Sequence, residues 1–141
     1  MRKFGSLLTG LAGIAFLATA ALHATGYPWI MAQAESMSAE AALVVPPLWL
    51  MFAADLGVLG LILITVSLRP ARGGPFIVLL AALAPLTAAG LLARTIRLGG
   101  PVPILAGVAG LAILAAAVLA IQVRINRPAP ATALNVEGPN P

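Results

Sequence analysis

The chain has 141 residues, 61% of them hydrophobic and 9% charged, and it contains no cysteine. A soluble domain of this length has too small an interior to hide that much apolar surface, so lipid must cover it. Thiolate nucleophiles, disulfide relays and Cys-ligated metals are excluded. The net charge of +4 and pI near 11.3 do not indicate a nucleic-acid partner, because the basic residues fall in pairs at the ends of apolar stretches.

The first apolar stretch, residues 4–23, follows Met1-Arg2-Lys3 and carries Ala18-Thr19-Ala20, an imitation of a secretory signal. Three further stretches follow, at 48–68, 76–98 and 104–123, so the first reads as an uncleaved helix. Each has about the 20 residues needed to cross a hydrocarbon core ~30 Å thick. Because backbone in lipid must satisfy its own hydrogen bonds, four such runs predict an all-α, polytopic membrane protein. Its fold is an antiparallel four-helix bundle over residues 1–127.

Residues 24–47 form the expected first outer loop. Tyr27-Pro28-Trp29-Ile30-Met31 suits the headgroup level, where Trp and Tyr concentrate. Residues 36–45 predict a short interfacial helix ending at Pro46-Pro47, since Ala39-Glu40-Ala41-Ala42-Leu43 are good helix formers. Such a helix either anchors the loop at the interface or covers a pocket.

The second stretch holds Asp55 roughly 12 Å below its outer start, with Gly57 and Gly60 close by. It ends in the breaker-rich turn Arg69-Pro70-Ala71-Arg72-Gly73-Gly74-Pro75, which predicts that the second and third helices are antiparallel neighbours, as are the third and fourth. Pro85, in mid-span of the third stretch, is expected to kink it and free the carbonyl of Ala81, with Thr87 placed to satisfy that carbonyl. Arg94 and Arg97 end this stretch on the outer side, before the turn Gly99-Gly100-Pro101-Val102-Pro103. The fourth stretch has no ionisable residue until Arg124, and Ala106, Gly110, Ala112, Ala116 and Ala120 suit close packing of helices. Residues 128–141 read as a flexible, Pro-rich cytoplasmic tail.

Arg2, Lys3, Arg69, Arg72, Arg124 and Arg127 lie at the N-terminus, in the second loop and at the start of the tail. The positive-inside rule makes these regions, and both termini, cytoplasmic. The outer half of the membrane then holds His23, Asp55, Arg94 and Arg97. An acid within a transmembrane helix costs on the order of 2.5–3.5 kcal/mol at the centre, so Asp55 needs a partner and a reason. Arg94 on the next helix is one: the two form either a structural clasp or the polar part of a pocket. His23, the only histidine, either caps helix carbonyls, serves as an acid or base, or ligates haem axially. No second histidine supports a metal centre, and no other cofactor is evident. Trp49, Tyr27 and Arg97 are peripheral binding candidates. Phosphate-binding loops, HExxH and Ser-His-Asp patterns do not occur.

Gly10-Leu11-Ala12-Gly13 and Ala53-Ala54-Asp55-Leu56-Gly57-Val58-Leu59-Gly60 resemble the DoxX-like group of small four-helix bacterial membrane proteins. Asp55 takes the place of an acid, usually Glu, that opens the second helix in that group. The resemblance implies a multi-pass protein of the bacterial cytoplasmic membrane, in a group some of whose members accompany oxidoreductases that feed quinones.

Three functions follow as expectations. One is an outer-leaflet pocket binding or converting a lipophilic small molecule by isomerase or ring-opening chemistry, with His23 and Asp55 handling protons and Arg94 holding a negative oxygen. The second is a non-catalytic accessory subunit of a membrane complex. The third is a small transporter working as a homo-oligomer, against which the run Leu61-Ile62-Leu63-Ile64 below Asp55 argues, polar residues returning only at Thr65 and Ser67.

Overall fold

A computed structural model describes residues 2–71, 73–95 and 101–125. They form helices α1 (Arg2–Thr25), α2 (Tyr27–Ala34), α3 (Ala39–Leu68), α4 (Gly74–Thr95) and α5 (Val102–Ile125), with no strand among the described residues. Four segments are long and apolar enough to cross a membrane: Phe4–Ala34, Ala39–Leu68, Gly74–Arg94 and Val102–Ile125. The chain is a multi-pass, all-helical membrane protein. Residues 96–100, with Arg97, and the tail 128–141 lie outside the described residues.

The expected loop 24–47 is mostly helical. Gly26 alone separates α1 from α2; its N–H donates to the carbonyl of His23 at 3.1 Å and its carbonyl accepts from Ile30 at 3.1 Å. Pro28 sits in the first turn of α2, where its missing N–H costs nothing. Ser38 then caps α3, its hydroxyl accepting from the Ala41 N–H at 3.3 Å, and Glu40 in the first turn complements the helix dipole.

The separate interfacial helix ending at Pro46-Pro47 is corrected by this structure. α3 runs through both prolines for 30 residues, or ~45 Å, longer than the hydrocarbon is thick. Measured from Leu68, a ~30 Å core ends near Leu48. The carbonyls of Ala42 and Leu43, which lose their donors to Pro46 and Pro47, therefore fall beyond the lipid core, where water can serve them. That is why a helix can continue through a Pro-Pro pair here.

In cross-section the helices follow the order α3, α1, α5, α4. α1 packs broadly on α3 and on α5, and α4 packs on α5. α3 and α4, although joined by a short turn, touch only slightly, so their expected pairing as close neighbours is largely replaced by packing on α1 and α5. Phe16, Leu56, Leu63, Val78, Ala112 and Ala115 fill the core between them.

Close approaches give the directions. Along α1, Gly10 lies by Ser67, Gly13 by Gly60 and Ile64, and Gly26 by Trp49, so α1 and α3 are antiparallel. Gly5 lies by Gln122 and Leu119, and Gly74 by Val66 and Leu119. The start of α1, the end of α3, the start of α4 and the end of α5 thus meet at one end, here the turn end; His23 and Trp49 lie at the far end. A Cβ on Gly13 would come within 2.8 Å of the Gly60 carbonyl oxygen, and one on Gly60 within 2.9 Å of the Gly13 oxygen. The two helices touch backbone to backbone, an approach only small residues permit.

Threonine in α4 departs from expectation in detail. Pro85 is fully buried and α4 continues through it. The hydroxyl of Thr87 donates to Leu83 and Ala84 carbonyls, each at 2.9 Å, rather than to Ala81. A threonine on a helix reaches its own i−3 and i−4 carbonyls without leaving its rotamer, whereas the carbonyl of Ala81 is six residues away.

Candidate functional site

The far end of the bundle is organised around His23. Its imidazole stacks on the indole of Trp49, with ring centroids 3.9 Å apart and planes 15° from parallel. Phe52 meets it edge-on, at 5.0 Å and 75°. The indole Nε1 of Trp49 also donates to the backbone carbonyl of His23 at 2.8 Å. One residue on α3 therefore holds both the ring and the backbone at the last turn of α1. Since Trp49 and Phe52 are three residues apart, they share a helix face, and the antiparallel pairing brings that face to the end of α1.

Gly26 makes the stack possible. A Cβ there would lie 2.8 Å from Cζ2 of Trp49, so any larger residue would push the indole off His23. The histidine is half-buried, and its Nε2 is enclosed with no hydrogen-bond partner among the described residues. An enclosed polar nitrogen without a partner is uncommon and calls for a cause. Haem ligation through Nε2 would require that nitrogen to be uncovered first.

Asp55 and Arg94 are both exposed, and they form no ion pair with each other or with any other described residue. Asp55 lies eleven residues before Val66, almost exactly three turns, so the two share one ridge of α3. Val66 is where α3 meets Gly74 of α4. About 16 Å further along that ridge, Asp55 faces an open side. Arg94 stands nine residues after buried Pro85, about 180° round the helix, and so points away from the ridge by which α4 packs.

The structure thus joins His23 to Trp49, and places Asp55 and Arg94 apart on outward faces. Tyr27 opens α2 and is half-buried, while the neighbouring Trp29 is exposed, as a headgroup-level residue is. No group of three or more His, Cys, Asp or Glu side chains that could hold a metal occurs among the described residues. Sequence reasoning missed the part played by Gly26. Its signal was a glycine just past a helix end, three residues beyond a histidine that an antiparallel helix had to cover.

No protein-family model matches this chain, and no curated protein and no solved structure matches it significantly.

Proposed function

We propose that this chain is a non-catalytic subunit of a membrane assembly, held there through the open flank of α3 that carries Asp55. One observation carries the reading: Asp55 is exposed within the apolar length of α3 and has no ion-pair partner among the described residues. A carboxylate facing hydrocarbon costs up to about 2.5–3.5 kcal/mol, and a neighbouring helix that offers a donor removes most of that cost. The expected clasp with Arg94 is not formed, and no other described residue takes its place, which favours a partner on a neighbouring chain. Membership of the DoxX-like group, residence in a bacterial cytoplasmic membrane and cytoplasmic termini belong to the same proposal.

The experiment is site-specific photocrosslinking from residue 58, which is exposed and one turn from Asp55, in native membranes. The reading expects one protein adduct of defined mass that disappears in Asp55→Asn. Adducts to lipid alone would reject it.

A second reading is favoured by Nε2 of His23. A lipophile with a hydroxyl group, lodged at the far end against Trp49 and Phe52, would give that nitrogen the partner it lacks. His23 would then act on the ligand's proton, with Tyr27 and Trp49 as walls; Asp55 and Arg94, on outward faces, would join the site only by moving. Native mass spectrometry decides between the two readings: a copurifying lipophile lost in His23→Phe supports the pocket, and an empty chain removes it.

A further inference from the structure

We infer that the partner at Asp55 is a transmembrane helix of a different chain, carrying a lysine or arginine at the level of Asp55; this rests on the assembly reading above. The open flank of α3 suits a helix. Leu48, Met51, Asp55, Val58, Ile62 and Thr65 are all exposed and recur at intervals of three and four residues, the spacing at which one helix lays a seam against another. The seam covers about 25 Å of α3, most of a hydrocarbon core ~30 Å thick.

Asp55 is the position of this seam that a plain apolar helix would not serve. Thr65 satisfies its own hydroxyl, which donates to the Leu61 carbonyl at 2.8 Å. Asp55 has no hydrogen bond or ion pair among the described residues. It stands about 10 Å inside the lipid boundary near Leu48 and about 20 Å from Leu68. That is too deep for a side chain with a single methylene to reach headgroups or water, as the long stems of lysine and arginine do.

The chemistry of the partner follows from charge. A hydroxyl or amide donor would occupy lone pairs of the carboxylate and leave its negative charge in hydrocarbon. A lysine or arginine removes the net charge as well, and its own cost in lipid is lifted by the same contact. The described cations of this chain stand at other levels. Arg69 and Arg124 lie at the turn end, about 20 Å or more from Asp55, and Arg94 lies about 14 Å beyond it toward the far end. A two-fold axis along the membrane normal preserves these levels, so a second copy brings none of them to the carboxylate. That mismatch favours a different chain over a second copy.

The chain has no cysteine, so a single one at exposed Ala71 can carry a donor dye. The probe is a synthetic leucine–alanine helix of about 20 residues, with an acceptor dye at one end. One guest residue, lysine, asparagine, glutamate or leucine, is placed ~10 Å inside its apolar length. Energy transfer is followed against peptide density in phosphatidylethanolamine–phosphatidylglycerol vesicles. The lysine helix should associate roughly tenfold more tightly than the other three. Asp55→Asn, checked for helix content by circular dichroism, should erase that preference, and Asp55→Glu should retain it.

A preference for lysine that depends on the carboxylate supports the inference. Equal association of the lysine and asparagine helices overturns it, as does a lysine preference that survives Asp55→Asn, or failure of every helix to bind. The residue-58 crosslink then separates the two ideas. A protein adduct lost in Asp55→Asn keeps the assembly and sinks only the cationic partner; lipid adducts alone sink both.

Discussion

At the scale of residues, the far end depends on three side chains and one missing Cβ. Trp49 acts twice, stacking on His23 and donating to its carbonyl. Trp49→Phe keeps a ring but removes the donor, which should lower stability by about 1 kcal/mol. Gly26→Val should cost more, about 1–3 kcal/mol, because the indole has to leave its place. Both are measured by thermal unfolding in detergent, and in a Trp29→Phe background the emission of Trp49 reports the displacement directly. Equal melting of Gly26→Val and the parent would show that the contact carries no energy. Asp55→Asn is the opposite case. With no ion-pair partner among the described residues, its loss should leave the melting of the isolated protein within about 0.5 kcal/mol of the parent, whereas an internal clasp predicts a clear drop. His23, Asp55, Arg94 and Trp49 were all legible as unusual residues. Their partners were not, because a pattern along one helix does not say which neighbour covers which face.

At the scale of elements, small residues separate into those that hold helices together and those that do not. Gly13 and Gly60 meet backbone to backbone across α1 and α3, while Gly110 has nothing within 4 Å of a Cβ position. Gly60→Val should therefore destabilise the bundle by at least about 2 kcal/mol, and Gly110→Ala should change it by less than about 0.5 kcal/mol. Comparable losses at both positions in denaturant titration would contradict this packing. Gly57 and Gly60 stood out in the sequence as small residues suited to close approach, whereas Gly10 and Gly13 entered only through the family resemblance. That Gly13 takes Gly60 while Gly57 meets nothing depends on helix rotation, which glycine spacing leaves open. The helix through Pro46-Pro47 was hidden for a related reason: proline signals a break wherever its carbonyl partners are sealed in lipid, and here they lie beyond it.

At the scale of the whole molecule, four spans with basic ends predict that residue 71 and residue 36 lie on opposite sides of the membrane. Single cysteines at these exposed positions, labelled in intact cells by an impermeant maleimide, should react at 36 and not at 71. Labelling of both from outside would overturn the topology. Length, hydropathy and the placement of Lys and Arg determined the all-helical class, the number of spans and the expected orientation. They suffice because the cost of unpaired backbone and of charge in hydrocarbon acts on each segment by itself. Only the tertiary structure decided that α1 and α5 stand between α3 and α4, that His23 belongs to Trp49, and that Asp55 and Arg94 face outward. Those outcomes depend on the rotation and pairing of helices, which in lipid are selected by close packing between elements, a property that no single stretch of sequence carries.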